Sequence, residues 1–161
     1  MGTRSHIYVK LNDTEYGYIY AHWDGYPSWR GKLLLGSYKT WSKCKSLVKL
    51  GHLSSLKAKI RPNKKKGVHT FDNPQKDVTV FYGRDRGEKE QEMQILQART
   101  VQEACEQARK QLEGDVFIEY LYFHDGAGWW IAEPHEWKFE KLETVMQMEK
   151  PDAWKYGPEE D

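Results

Sequence analysis

Cysteine is scarce in this sequence: Cys44 and Cys105 are the only two in 161 residues. They lack metal-ligand spacing and read as reduced, packed side chains rather than a disulfide. No apolar run approaches the roughly 18 residues that cross a bilayer, and the opening MGTRSHIYVKL has no apolar segment of the signal-peptide kind. These gaps lead us to expect a soluble, cytoplasmic protein with no membrane partner. GxGxxG, P-loop, GxSxG and HExxH patterns are also missing, and His6 stands where a myristoylation signal requires Ser or Thr. No cofactor is implied and no catalytic residue is assigned. His52, His69, His124 and His135 show no metal-site spacing, and each reads as a turn or surface residue.

The most informative gap is in acidic residues. The formal net charge is +1, yet residues 25–71 contain twelve basic side chains, from Arg30 to Lys66, and no Asp or Glu. Residues 1–24 hold 2 basic and 3 acidic side chains, and residues 72–161 hold 11 and 21, so the three segments carry −1, +12 and −10. Such a block is either neutralised within the molecule or offered to an anion, a nucleic acid or an acidic protein partner.

Aromatic residues are abundant, with seven Trp, ten Tyr and five Phe. Residues 5–11 and 15–23 alternate around Asn12-Asp13-Thr14, which predicts a β-hairpin. If Ile7, Val9, Leu11, Ile19, Ala21 and Trp23 face one core, opposed residues must share parity, which selects a three-residue loop and partners whose numbers sum to 26. The other face then carries Arg4, Tyr8, Tyr16, Tyr18, Tyr20 and His22. Helices are expected over 32–38, over 41–50 with Thr40 as N-cap and Gly51 at its end, and over 101–112 behind the capping box Thr100-Val101-Gln102-Glu103. Residues 57–70 read as an exposed, mobile basic loop. A strand over 77–82 runs into Gly83-Arg84-Asp85-Arg86-Gly87-Glu88, and strands over 116–123 and 128–132 form a second hairpin. Residues 89–99 fit helix or strand, 136–149 form a charged amphipathic stretch, and 151–161 form a loose tail anchored by Trp154 and Tyr156. The fold class is α+β: one domain over 1–150, with a mainly antiparallel sheet built from hairpins and two or three helices packed on it.

Two places gather chemistry. The hairpin sets Arg4-Ser5 beside His22-Trp23-Asp24-Gly25-Tyr26-Pro27. There a guanidinium holds phosphate, rings stack on a base, and a carboxylate accepts from a ribose hydroxyl or an amine. The same residues also read as structural, with Asp24 capping its own turn or pairing with Arg4. In the second place, Arg84 and Arg86 point to one side if the chain is extended and could grip one anion, with Asp85 and Glu88 as carboxylates for base or metal chemistry. Alternatively, the run neutralises itself on the surface. Glu119, among apolar neighbours, is expected at a solvated edge or paired with Arg84 or Arg86. The ligand-binding set is therefore Arg4, Ser5, His22, Trp23, Asp24, Gly25, Tyr26, Arg84, Asp85, Arg86, Glu88 and Glu119, and no metal is assigned.

The strings Met1-Gly2-Thr3-Arg4-Ser5, His22-Trp23-Asp24-Gly25-Tyr26-Pro27, Leu50-Gly51-His52-Leu53-Ser54-Ser55-Leu56, Phe71-Asp72-Asn73-Pro74, Arg84-Asp85-Arg86-Gly87-Glu88 and Glu119-Tyr120-Leu121-Tyr122 resemble a family of small proteins of tailed phages and prophages, over roughly residues 1–125. Gly83 departs from the polar residue, often His, that relatives carry there. The family has no settled biochemical role. The resemblance implies the cytoplasm of an infected bacterium and, by analogy of genome context, inhibition of host defence. The function expected is a binding protein that captures a phosphate-bearing nucleotide signal or similar anion without turnover, with the basic loop closing over it. The alternatives are a protein or nucleic-acid interaction module acting on a host enzyme or defence protein through the basic surface, and a phosphoesterase acting on a nucleotide. A homo-oligomer that buries the aromatic face also fits.

Overall fold

The computed structural model describes residues 2–136 and 138–156. Met1 of the first motif and residues 157–161 of the expected tail lie outside them. The hairpin forms as its alternation requires: β1 (Arg4–Lys10) pairs antiparallel with β2 (Glu15–Ala21), with Ile7 opposite Ile19 and Val9 opposite Gly17. Asn12 closes the three-residue loop by accepting from Thr14 N–H at 3.0 Å. The remaining strands are β3 (Leu53–Ser55), β4 (Val80–Phe81), β5 (Gln94–Gln97), β6 (Ile118–His124), β7 (Trp129–Ala132) and β8 (Phe139–Lys141). They order as β4-β3-β2-β1-β6-β7-β8, with β5 on the free half of the β2 edge. Pairing is antiparallel except for β1 with β6 and the short β2–β3 contact, so the fold is α+β with a mostly antiparallel sheet.

Parity divides the molecule into two layers. The odd-numbered face of the hairpin (Ile7, Val9, Ile19, Ala21) packs with Leu34 of α1 (Lys32–Ser37), Cys44, Leu47 and Val48 of α2 (Trp41–Val48), and Leu142 and Val145 of α5 (Leu142–Met146). The even-numbered face carries Tyr8 and Tyr16 into a second core with Val101, Ala104, Cys105 and Ala108 of α4 (Val101–Gln111). Thr40 caps α2 by accepting from Lys43 N–H, and Gly51, at φ 87°, follows it where a Cβ would stand 2.1 Å from the Gln91 carbonyl oxygen. Thr100 caps α4 in the same way, while the Glu103 carboxylate turns back to Arg99 N–H at 2.8 Å.

Several expected boundaries move. The strand over 77–82 shrinks to Val80–Phe81, and the chain turns at once into a short helix, α3 (Tyr82–Arg86). The ambiguous stretch resolves as β5. The charged stretch divides into β8 and α5. Residues 151–156 belong to the packed body rather than to a loose tail: Trp154 enters the first core, and Asp152 accepts from Ser28 N–H and Oγ at 2.7 and 2.6 Å, while Tyr156 stays exposed. The basic loop is likewise tied down, because Gln75 bonds Asn63 and Gly67 across it and Lys59 bridges to Val78. It connects β3 to β4, the two strands at the sheet edge beyond β2.

Candidate functional site: an aromatic and imidazole face beside Arg4

The motif at the sheet end divides into an inward half and an outward half. The inward half is built around Arg30, which sequence reasoning counted only as one of the basic block. Arg30 is 1% exposed, and its guanidinium donates to Ser5 Oγ at 2.8 Å and to the Trp23 carbonyl at 2.7 Å. Burial pulls its pKa below the ordinary arginine value, against the pull of Tyr122, Asp24 and Tyr38. The Gly25 carbonyl accepts from the Tyr122 hydroxyl at 2.5 Å, and Gly25 N–H donates to Thr3 O at 2.9 Å. A Cβ on Gly25 would lie 2.7 Å from Thr3 O and 2.9 Å from the Ser5 Cβ, so only glycine lets the loop approach the strand this closely. Asp24, at φ 57°, makes the turn. Ser5 and Gly25, both buried, thus lock the loop to the sheet and offer no ligand surface.

Arg84 and Arg86, expected to grip one anion side by side, do not do so. In the helical turn α3, residues two apart point to different sides. Arg84 is engaged from every direction, by Asp85 at 2.9 and 3.1 Å and by the carbonyls of Ile60 at 2.5 Å and Thr79 at 2.8 Å. Asp85 also accepts from Phe81 N–H at 2.8 Å and lies 3.2 Å from His69 Nε2, with both side chains almost fully buried. Burial alone would raise the Asp85 pKa. The hydrogen bonds from Arg84 and Phe81, with the nearby charges of Arg84 and His69, outweigh it and hold the carboxyl below its ordinary value. Arg86 pairs with Glu88 at 2.6 Å and lies over the Phe71 ring at 4.1 Å. Glu119 pairs with Lys155 at 3.6 Å rather than with either arginine. Arg84 and Asp85 thus belong to a buried set of bonds, whereas Arg86, Glu88 and Glu119 sit in part-exposed ion pairs.

The outward half is a connected surface of rings. Tyr8 stacks on Tyr18 at 5.0 Å, and His6 lies 5.7 Å from Tyr18 and 6.4 Å from Tyr20. The Tyr20 hydroxyl meets His22 Nδ1 at 2.6 Å, and His22 sits edge-on to the half-exposed Trp23 at 4.6 Å. Helix α4 packs beneath Tyr8, and its Gln111 accepts from the Tyr18 hydroxyl at 3.2 Å. The Arg4 guanidinium lies close enough to Tyr20 for its charge to oppose the rise that burial causes in the Tyr20 pKa, and it stands 5.2 Å from the centroid of the exposed Phe117 ring, while Arg4 Nε is buried without a hydrogen-bond partner. His52 enters from the loop after α2 and accepts from Tyr20 N–H through Nδ1 at 2.9 Å, filling the gap between β5 and β3 on the β2 edge.

All three imidazoles of this face are held neutral. Burial lowers His6 to about 4, with His52 adding to the effect and Asp115 opposing it. Burial also lowers His22, aided by the positive charge of Arg4, and lowers His52 against the pull of Glu92. The face therefore offers one permanent cation, neutral imidazoles able to donate or accept, and flat rings. Of the expected ligand set, Arg4, His22 and Trp23 converge here. His6 and His52 were missed, although the parity that placed Arg4 and Tyr8 on this face also places His6 between them. Among the described residues, no three His, Cys, Asp or Glu side chains group as metal ligands. No protein-family model, curated protein or solved structure matches the chain.

Proposed function

We propose that the protein binds a phosphate-bearing nucleotide or similar planar anion on the even-numbered face of the β1–β2 hairpin and holds it without turnover. One observation carries this reading: a guanidinium with a buried, unpartnered Nε stands at the edge of a partly exposed patch of aromatic and imidazole rings. Arg4 supplies the charge for phosphate, Trp23 and Tyr20 supply stacking surface, and His22 and His6 supply neutral hydrogen-bonding groups. Bound to a host nucleotide signal, such a protein lowers the free ligand, which is the counter-defence role implied by the resemblance to phage proteins.

The test is a melting-temperature screen against candidate signalling nucleotides. A ligand at 100 times its dissociation constant adds about 2.7 kcal/mol of stability. Arg4→Ala is expected to abolish the upshift, and Arg86→Ala to leave it intact. A screen without any upshift, or an upshift that survives Arg4→Ala, overturns the reading.

A second reading rests on a different observation. Eleven of the twelve basic residues of 25–71, all but the buried Arg30, belong to the stretch from α1 through α2 to the loop at the β3–β4 edge, and Lys64, Lys65 and Lys66 are exposed. That stretch suits a polyanion or an acidic protein rather than a small ligand.

A further inference from the structure

A separate cavity of about 440 Å³ opens at the other end of the sheet, between the β6–β7 turn, α1 and the start of α5. Leu35, Trp129 and Trp130 give it apolar walls, and Lys39, Lys141 and Glu143 also line it. The turn is rigid. Asp125 accepts from Ala127 and Gly128 N–H at 2.8 Å each and from the Trp130 indole at 2.9 Å, and Trp130 stacks flat on Phe139 at 4.9 Å.

The most deeply buried lining residue is His124, 1% exposed. Its Nδ1 accepts from Gly126 N–H at 3.1 Å, which places the ring proton on Nε2, and Nε2 is buried with no hydrogen-bond partner. A buried donor calls for an acceptor. The cavity is thus bordered by a buried N–H with no acceptor, whose ring meets Trp129 edge-on at 5.0 Å, and by two lysines. The charge of Asp125 is already met by three N–H donors, and Glu143 offsets one of the two lysines. A size of this order is that of a small-molecule site.

We infer that this cavity is a second ligand site, for a compact organic monoanion with a flat aromatic body, of which an aromatic carboxylate is the simplest case. An oxygen of the ligand accepts from His124 Nε2–H or pairs with Lys39 and Lys141, and its ring lies among Trp129, Trp130 and Leu35. The site is distinct from the Arg4 face. In the β1–β6 register Arg4 partners Ile118 and Val9 partners His124, so the two sites use opposite ends and opposite faces of the sheet. Five residue steps of strand put about 17 Å between those ends.

The experiment is a titration of the labelled protein, followed by ¹H–¹⁵N correlation, with benzoate, with acetate as charge without ring, and with benzyl alcohol as ring without charge. Benzoate is expected to give saturating shifts at the Trp130 indole, the Ala127 and Gly128 amides and the His124 ring nitrogens, with acetate and benzyl alcohol about tenfold weaker or more. Replacing Lys39 and Lys141 together by Ala, two exposed positions, is expected to weaken benzoate about tenfold while the spectrum stays that of the folded protein. Arg4→Ala is expected to change nothing here, which keeps the outcome separate from that of the nucleotide screen. The inference falls if benzoate gives no saturating shift, if acetate matches it, if the double lysine variant binds undiminished, or if Arg4→Ala removes the binding.

Discussion

Arg30 is fully buried and His6 partly so, and each meets that condition in its own way. Arg30 keeps its charge by donating to a hydroxyl and a carbonyl, and in doing so ties the loop after β2 to the strand before it. His6 instead gives up its proton. Its folded pKa of about 4 lies below the ordinary 6.5, so between those values the unfolded chain binds a proton that the folded chain refuses. Stability must therefore fall as pH drops from 6.5 towards 4 and stay level above that window. The loss from His6 is on the order of 2–3 kcal/mol. His22 and His52 shift in the same direction and add to it. Urea unfolding across the window checks this, and His6→Asn, which cannot titrate, is expected to lose visibly less stability in acid than the parent. An equal loss in both would remove His6 from the account.

At the scale of elements, the contrast between the first hairpin and α3 shows what local pattern reveals. The hairpin's register was legible because two independent strands had to present their apolar residues to one core, and a one-residue slip would have exposed both sets. Nothing comparable constrains Gly83–Glu88. There the outcome depends on the Asp85 carboxylate folding back onto Phe81 N–H while it holds Arg84, and that set of bonds is complete only once Ile60 and His69 have arrived from the basic loop to join Thr79, just before β4. Charge alternation alone could not distinguish that arrangement from an exposed strand end. Asp85→Ala is expected to cost about 3–5 kcal/mol, because it strands a partly buried guanidinium and frees the loop held by His69. Glu88→Ala, which breaks an exposed pair, is expected to stay within about 0.5 kcal/mol of the parent. Chemical denaturation of the two variants settles the comparison, and equal costs would refute the structural assignment of this turn.

For the whole molecule, the near-neutral total charge conceals a spatial division. The basic residues of α1, α2 and the loop that follows occupy one layer, while Glu103, Glu106 and Glu113 lie on or beside α4 in the other. If the basic layer serves as a polyanion surface, binding to a nucleic-acid duplex should weaken steeply as salt rises, with a log–log slope of about −0.9 per phosphate contact. Neutralising Lys64, Lys65 and Lys66 should then reduce the slope while Arg4→Ala leaves it unchanged. A response flat in salt would exclude this use of the layer. How much of the site was legible follows the same division. Arg4 and His22 were placed by strand parity; Trp23, which parity turns towards the core, instead stands half-exposed beside His22 because β2 ends at Ala21, and His52 reaches the site by a loop whose path depends on Gln91 and Tyr82, which no sequence period reports.

The position of His52 also affects the sheet itself. Between β5 and β3, the backbone of β2 is continued by an imidazole nitrogen, so one rung of an otherwise all-amide ladder is a titratable base. A proton arriving at Nδ1 turns that acceptor into a donor and breaks the rung. The strand that carries the aromatic face is thereby wired to acidity near its C-terminal end, where protonation of His52 would loosen its backbone.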